Sequence, residues 1–255
     1  MKNYINRRKY LNSGNFKFLL FFFAFLIIFQ IIYFQFVPIK LLFRNSIEYI
    51  SDHFNYKLIN VEVIGLERVK LKEIKQITDK FNENSIFLLP LENISMHIKN
   101  INWIKHAKLS IDYKNTLKIE IEEYIPVGIY NFNNNFFYFD SKGKIIDQMK
   151  FENKINDSLL YFSGKSANLK AFQLIQEIEN YNSEFILLIK KIIFVEERRW
   201  NILLNNNVNL MLSEKFPIKS LINYHKIINK ISEYELNNIK TIDLRNLEKT
   251  ILINK

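Results

Sequence analysis

Hydrophobic positions show three textures along the chain. From Phe18 to Val37 they are continuous. The run reads FLLFFFAFLIIFQIIYFQFV, in which seventeen of twenty residues are aliphatic or Phe and the rest are Gln30, Tyr33 and Gln35. Twenty helical residues rise about 30 Å, the thickness of a bilayer's hydrocarbon core. Residues 18–37 therefore read as a single transmembrane helix, in which Gln30 and Gln35 are candidates for hydrogen bonding to a partner helix. Pro38 is expected to end or kink it. Beyond it, Ile39, Leu42, Phe43, Ile47, Ile50 and Phe54 recur at helical spacing in a linker over 38–55. This pattern fits an amphipathic helix at the interface or a continued stalk.

The second texture is short and mixed. Leu58, Val61, Val63 and Ile64 predict a strand closed by Gly65. Ile74, Ile77 and Phe81 share one helical face, as do Leu91, Ile94, Ile98 and Ile101. Residues 104–113 and 117–123 predict two strands. In the second, Leu117, Ile119 and Ile121 alternate with Lys118, Glu120 and Glu122, the mark of a half-buried strand. The order β-α-α-β-β over 56–125 predicts one sheet with two helices on a face.

From Pro126 to the end, the third texture is strand-rich. A hairpin is predicted from 136–140 and 144–147 around Gly143, and further strands at 159–162, 186–195, 200–204, 208–212, 241–244 and 250–253. Helices are predicted over 168–181 and 217–232, the second opening on Pro217. The fold class is α+β: one N-terminal membrane helix, a β-α-α-β-β domain, then a mixed β-rich domain with flanking helices over 126–255.

Charge sets the orientation. Lys2, Arg7, Arg8, Lys9 and Lys17 precede the apolar run, with no acidic residue among them. The positive-inside bias places 1–17 in the cytoplasm and 38–255 outside it. The run is too long for a signal-peptide core, and no small-x-small cleavage site follows it. Those five residues also supply half of the net charge of +10. The remaining Lys residues are scattered between Glu residues, so a nucleic-acid stripe is absent. With no cysteine, disulfides are excluded.

Catalytic chemistry is not visible. His53, His97, His106 and His225 have no metal-ligand spacing with one another, and the five glycines form no phosphate loop. Glu122-Glu123 and Glu196-Glu197 are adjacent pairs; on a strand they face opposite ways and read as solvated charge. No catalytic, metal or cofactor-binding residue is predicted.

Six segments carry a resemblance. They are Val61-Glu62-Val63-Ile64-Gly65, Asn102 to Leu109 around Trp103, Asn115 to Val127, Phe139 to Ile146, Glu197 to Leu204, and Ile242-Asp243-Leu244-Arg245. In this order behind an N-in anchor, the chain resembles the FtsQ/DivIB bacterial cell-division family, with a POTRA domain followed by an FtsQ-type β domain. Asn206-Asn207 stands where an Asn-Gly turn is common, and Asn102 replaces a usual Pro.

The resemblance implies a non-enzymatic divisome scaffold in the bacterial inner membrane, with its C-terminal domains periplasmic. It implies binding to FtsB and FtsL, a share in controlling septal peptidoglycan synthesis, and contacts of the POTRA domain with other division proteins. The alternative is another membrane-anchored POTRA-type periplasmic assembly factor. A membrane-anchored wall enzyme is disfavoured because no nucleophile or metal constellation is present. The candidate partner-binding residues are Arg198, Trp200, Thr250, Ile251, Leu252 and Ile253. By its residues the last strand reads either as a paired or covered core strand or as an edge strand open to strand addition, and the resemblance favours the open edge. The resemblance matches Arg198 to an arginine that meets an acidic residue of FtsB; a guanidinium fork suits a carboxylate. Trp200 also reads as a core residue.

Overall fold

The computed structural model describes residues 13–112, 115–149 and 159–255, and within these all side chains but those of 13–16, 34–38 and 233. The chain divides into two compact units. The first comprises the described parts of Met1–Ile64, Leu71–Met96 and Lys108–Glu120; the second comprises Gly65–Lys70, His97–Ala107 and the described parts of Ile121–Lys255.

The chain opens on a helix, α1 (Ser13–His53), that runs through position 38. Pro38 therefore does not end it, which was one of the two outcomes expected there. One absent donor leaves most of a 41-residue ladder in place, and the apolar spacing from Ile39 to Ile50 continues the same periodicity. Among the described residues no helix is long and apolar enough to cross a membrane. The last four positions of the predicted span, 34–37, lie outside the described side chains, Gln35 among them. At the other end of α1, Ser51 is buried and its hydroxyl hydrogen-bonds that of Ser85 at 2.6 Å. The Tyr56 amide donates to the Ser51 carbonyl at 2.8 Å, closing the helix end.

The predicted β-α-α-β-β order is observed: β1 (Asn60–Ile64), α2 (Leu71–Thr78), α3 (Leu91–Lys99), β2 (Ile104–Asp112) and β3 (Thr116–Glu123). The described strands here form a sheet in the order β1-β3-β2. Strand β1 runs parallel to β3, with Val61 opposite Leu117 and Val63 opposite Ile119. Parallel neighbours need a long crossover, which the two helices supply. Leu58, Ile74, Ile86, Ile94, Leu117 and Ile119 are buried.

Glu123 departs from its reading as solvated charge. It is buried, and its carboxylate accepts the backbone amides of Glu67 (2.9 Å), Arg68 (2.9 Å) and Val69 (3.0 Å). Gly65 opens that loop with φ +86°, and an added Cβ would sit 2.0 Å from the Ile121 carbonyl oxygen. Only glycine tolerates both demands.

In the remainder of the chain the described strands build one mixed sheet. The elements are β4 (Gly128–Phe132), β5 (Asn135–Phe139), β6 (Ile145–Gln148), β7 (Tyr161–Ser163), α4 (Ala167–Asn182), β8 (Ile189–Val195), β9 (Arg199–Leu204), β10 (Asn209–Leu212), α5 (Pro217–Ile228), α6 (Glu233–Asn238), β11 (Ile239–Leu244) and β12 (Ile251–Asn254). The sheet order is β12-β11-β10-β9-β8-β7-β4-β5-β6. Pairs β7–β8 and β10–β11 are parallel, and their crossovers are α4 and α5–α6. Ala171, Leu174 and Ile178 of α4 and Leu221 and Tyr224 of α5 pack with Ile192, Ile202, Leu210 and Ile242 in one core. The Ser220 hydroxyl locks α5 in place: it donates to the Leu244 carbonyl and accepts the Ser213 amide, both at 2.9 Å.

The main departures from the predicted elements are one added strand and three moved boundaries. Strand β4 was not anticipated. The stretch 186–188 belongs to a 3-10 turn, Ser183–Leu188, because the Asn182 side chain caps the amides of Glu184 and Phe185. Helix 217–232 stops at Ile228, and a separate α6 begins with a capping box between Ser232 and Glu235. The final strand starts at Ile251, leaving Thr250 in the preceding connection.

Candidate functional site

Among the described strands, the final one lies at the rim of the long sheet and pairs with β11 alone. Its register sets Ile251 opposite Asp243, Leu252 opposite Ile242 and Ile253 opposite Thr241. All four β12 residues are exposed; Ile251, Leu252 and Ile253 retain 48%, 44% and 45% of their accessible surface. Just past the strand, the Lys255 amide donates to the Asn238 carbonyl at 2.9 Å. In a regular antiparallel strand donors alternate sides, so the amides of Ile253 and Ile251 also face β11. Those of Leu252 and Asn254 face the open edge. The register shift falls between Ile239 and Thr241 on β11, leaving β12 regular. Leu252 shares the face of Ile242, Leu210 and Ile202, the face that α4 and α5 cover.

The opposite rim is managed differently. On β6, Asp147 accepts the Trp103 indole N–H at 3.0 Å and the Asn102 amide at 3.1 Å. A charged, side-chain-covered rim resists strand addition, whereas β12 carries three consecutive exposed aliphatic residues.

Arg198 sits in the tight turn from β8 to β9. Glu196 and Glu197 both adopt left-handed backbone, φ 53° and 54°, the primed-turn geometry that matches strand twist. Glu197 is tied to the loop before α4, its carboxylate lying 2.6 Å from Lys165 Nζ and accepting Ser166 Oγ at 3.0 Å. Arg198 folds back: Nη2 and Nε reach the Glu196 carboxylate at 2.6 and 3.0 Å, and Nη1 reaches Glu214 at 3.3 Å. The Arg198 hydrogen bond, aided by its charge, holds the Glu196 carboxyl below its ordinary range; reciprocally, Glu196 raises Arg198.

Trp200 is placed in the core. It is 8% exposed and packs on Phe194 and Phe162, with ring centroids 4.3 and 6.1 Å away. It backs a groove of about 460 Å³ that Lys170, Glu177, Arg198 and Glu214 also line. A second groove, about 530 Å³, is lined by Arg198, Arg199, Glu214, Arg245, Asn246 and Glu248. A third, about 400 Å³, takes in Asp243, Arg245, Asn246, Lys249 and Ile251. Arg245 and Asn246 line the last two and so connect the Arg198 side of the surface to β12. Thr250 is half-buried, next to the strand but outside it.

Arg245, Arg199 and Glu214 belong to this surface and carried no predicted role. Arg245 forks onto Asp243, with Nη2–Oδ2 at 2.6 Å and Nε–Oδ1 at 2.9 Å. That hydrogen bond is the main cause of the lowered Asp243 carboxyl. The signal was available: residues i and i+2 of a strand lie on one face. Arg199 buries its Nε without a hydrogen-bond partner. Among the described residues, no group of three or more His, Asp or Glu is placed to hold a metal ion.

A β-α-α-β-β unit followed by a mixed sheet defines a two-part α+β architecture. Comparison with known proteins identifies both parts. Residues 57–124 match the family described as POTRA domain, FtsQ-type, and residues 128–245 match Cell division protein FtsQ/DivIB, C-terminal. The chain is 31% identical over 209 residues to the cell division protein FtsQ of Rickettsia typhi, covering 80% of this chain and 75% of that one. It is 29% identical to the Rickettsia prowazekii protein of the same name over 209 residues, with the same coverage. Against that of Rhizobium meliloti it is 25% identical over 160 residues, 63% of this chain and 51% of that one. The chain belongs to the FtsQ/DivIB family of cell-division proteins.

Proposed function

We propose that this protein is a non-enzymatic scaffold of the divisome that captures FtsB, and with it FtsL, by strand addition at β12. The observation that carries this reading is the bare edge Ile251–Asn254 beside grooves lined by Arg198 and Arg245. Backbone groups of Leu252 and Asn254 would supply the ladder, exposed Ile251, Leu252 and Ile253 the side-chain pockets, and Arg198 a fork for a partner carboxylate. Through that complex the protein would help control septal peptidoglycan synthesis. The POTRA domain, taken as 56–125 ahead of a β domain at 126–255, would contact other division proteins.

The same reading anchors the chain in the inner membrane through 18–37, with 1–17 cytoplasmic and the rest periplasmic. Its support is the apolar run, the basic N-terminus, and α1, whose side chains from Phe18 to Tyr33 are all exposed. A rigid helix that leaves such a surface bare in water needs a solvent of its own.

The test is co-purification of the full-length protein from detergent-extracted membranes. FtsB and FtsL should be recovered together with it, and depletion should give filaments. Recovery of the protein in the soluble fraction, or its isolation without either partner, would refute the reading.

A further inference from the structure

The Arg198 guanidinium is already occupied. Three of its hydrogen bonds go to carboxylates of its own chain: two to Glu196, from Nη2 and Nε, and one to Glu214, from Nη1. A partner carboxylate arriving in fork geometry needs the same N–H groups. Arg198 and Glu214 also line both the 460 Å³ groove beside α4 and the 530 Å³ groove beside Arg245. Their ion pair is thus the wall between the two. From this we infer that Glu196 and Glu214 are specificity-determining residues, built-in rivals for the carboxylate of an acidic partner segment.

Docking then proceeds by exchange. The incoming carboxylate replaces those of Glu196 and Glu214 on Arg198, the wall opens, and the two grooves join. An acidic segment that meets only Arg198 gains nothing, because two exposed ion pairs of small worth are given up for one. A segment that also adds a strand to β12 is held at high effective concentration and completes the exchange. The Glu pair therefore filters for segments that engage both places. The turn geometry keeps the rivals in position: consecutive left-handed residues aim Glu196 back at Arg198. Glu197, one residue on, is turned instead to Lys165 and Ser166.

This inference rests on reading Arg198 as a partner contact, and the experiment separates the two. The full-length protein in detergent is titrated with the periplasmic segment of the FtsB-type partner. Circular dichroism confirms that each variant is folded. Glu196→Gln and Glu214→Gln should each tighten binding about two- to five-fold, the worth of one exposed pair. Adding Arg198→Ala should erase that gain. Glu197→Gln removes the same charge without touching Arg198 and should give no tightening. Wild-type affinity should also fall less with added salt than that of the Glu196→Gln/Glu214→Gln variant. Exchange gives up two ion pairs within the chain for one with the partner, whereas the variant forms a new pair with none to give up. If Arg198→Ala weakens binding but neither Glu variant tightens it, the exchange is wrong while the docking site stands. Equal tightening by Glu197→Gln assigns the effect to general charge and also overturns it. If Arg198→Ala changes nothing, both readings fall.

Discussion

Arg245 and Asp243 form a forked ion pair one strand in from the bare rim, with Nη2–Oδ2 at 2.6 Å and Nε–Oδ1 at 2.9 Å. The two sides of the pair differ in environment. The Asp243 side chain is 11% exposed and that of Arg245 50%. The carboxylate is thus the group that depends more on the bond, while the guanidinium is half in water.

A pH dependence follows. The Asp243 carboxyl is lowered in the folded protein, chiefly by the Arg245 hydrogen bond. A lowered folded-state value means the contribution is complete above the unfolded carboxylate range, at about pH 4, and is lost as pH falls through the folded value. Denaturant midpoints of the wild type should therefore drop on acidification below about pH 4 more steeply than those of Asp243→Asn. Parallel curves would remove Asp243 as a source of acid sensitivity. At neutral pH, Arg245→Ala should cost about 1 kcal/mol, because the charge-assisted bond is half-exposed.

Trp200 acts through the fold. It is wedged between Phe194 and Phe162 with 8% of its surface exposed. Trp200→Ala should destabilise the protein by about 3–5 kcal/mol, and any loss of partner binding should track the unfolded fraction. Trp200→Phe should retain partner affinity within about two-fold, since aromatic packing is kept. A large affinity loss in a fully folded Trp200→Phe variant would instead make the indole a direct contact.

How much of this could be read from residues alone depended on whether one face was wet. The alternation of Leu117, Ile119 and Ile121 with charged neighbours placed β3 to within a residue, because that strand has one buried and one exposed face. Strand β4 gave no such alternation: Gly128, Ile129 and Tyr130 are all buried, so its texture is that of a featureless apolar run. The residues of β12 fit a covered core strand as well as an open edge, and only the resemblance favoured the edge. Arg198's rivals were only partly foreseeable. Glu196 is a sequence neighbour, but Glu214 reaches it only because β9 and β10 pair and bring the two turns together. Glu123 shows the same limit, since a carboxylate that collects three amides from residues 67–69 has no local signature.

Glu123 gives a stability prediction. Replacing it with Ala strands three backbone donors, those of Glu67, Arg68 and Val69. Each unsatisfied buried donor costs about 1–3 kcal/mol, and water entering the vacated space recovers part of it. Glu123→Ala should therefore lower stability by about 2–4 kcal/mol. Glu123→Gln keeps one acceptor oxygen and should cost about half as much. Urea denaturation measures both; equal losses would show that the charge, rather than the number of acceptors, organises the loop.

The rim itself can be interrogated by proline. Proline removes one backbone donor and fixes φ near −65°, which edge strands tolerate only where the donor faces outward. The Lys255 amide is bonded to the Asn238 carbonyl, so parity along the strand turns the Ile253 and Ile251 donors inward and the Leu252 donor outward. Ile251→Pro should break a ladder bond to β11 and cost about 1–3 kcal/mol of stability. Leu252→Pro should leave the fold nearly unchanged yet reduce partner affinity at least about ten-fold, because the vacated donor is one a partner strand needs. Leu252→Ala separates backbone from side chain. It keeps the amide and trims an exposed aliphatic group, so it should weaken binding by less than the proline does. Titration of the full-length protein with the FtsB periplasmic segment, alongside thermal unfolding of each variant, reads out both effects. Should Leu252→Pro bind as tightly as wild type while folded, strand addition at β12 is ruled out, whatever Arg198 does.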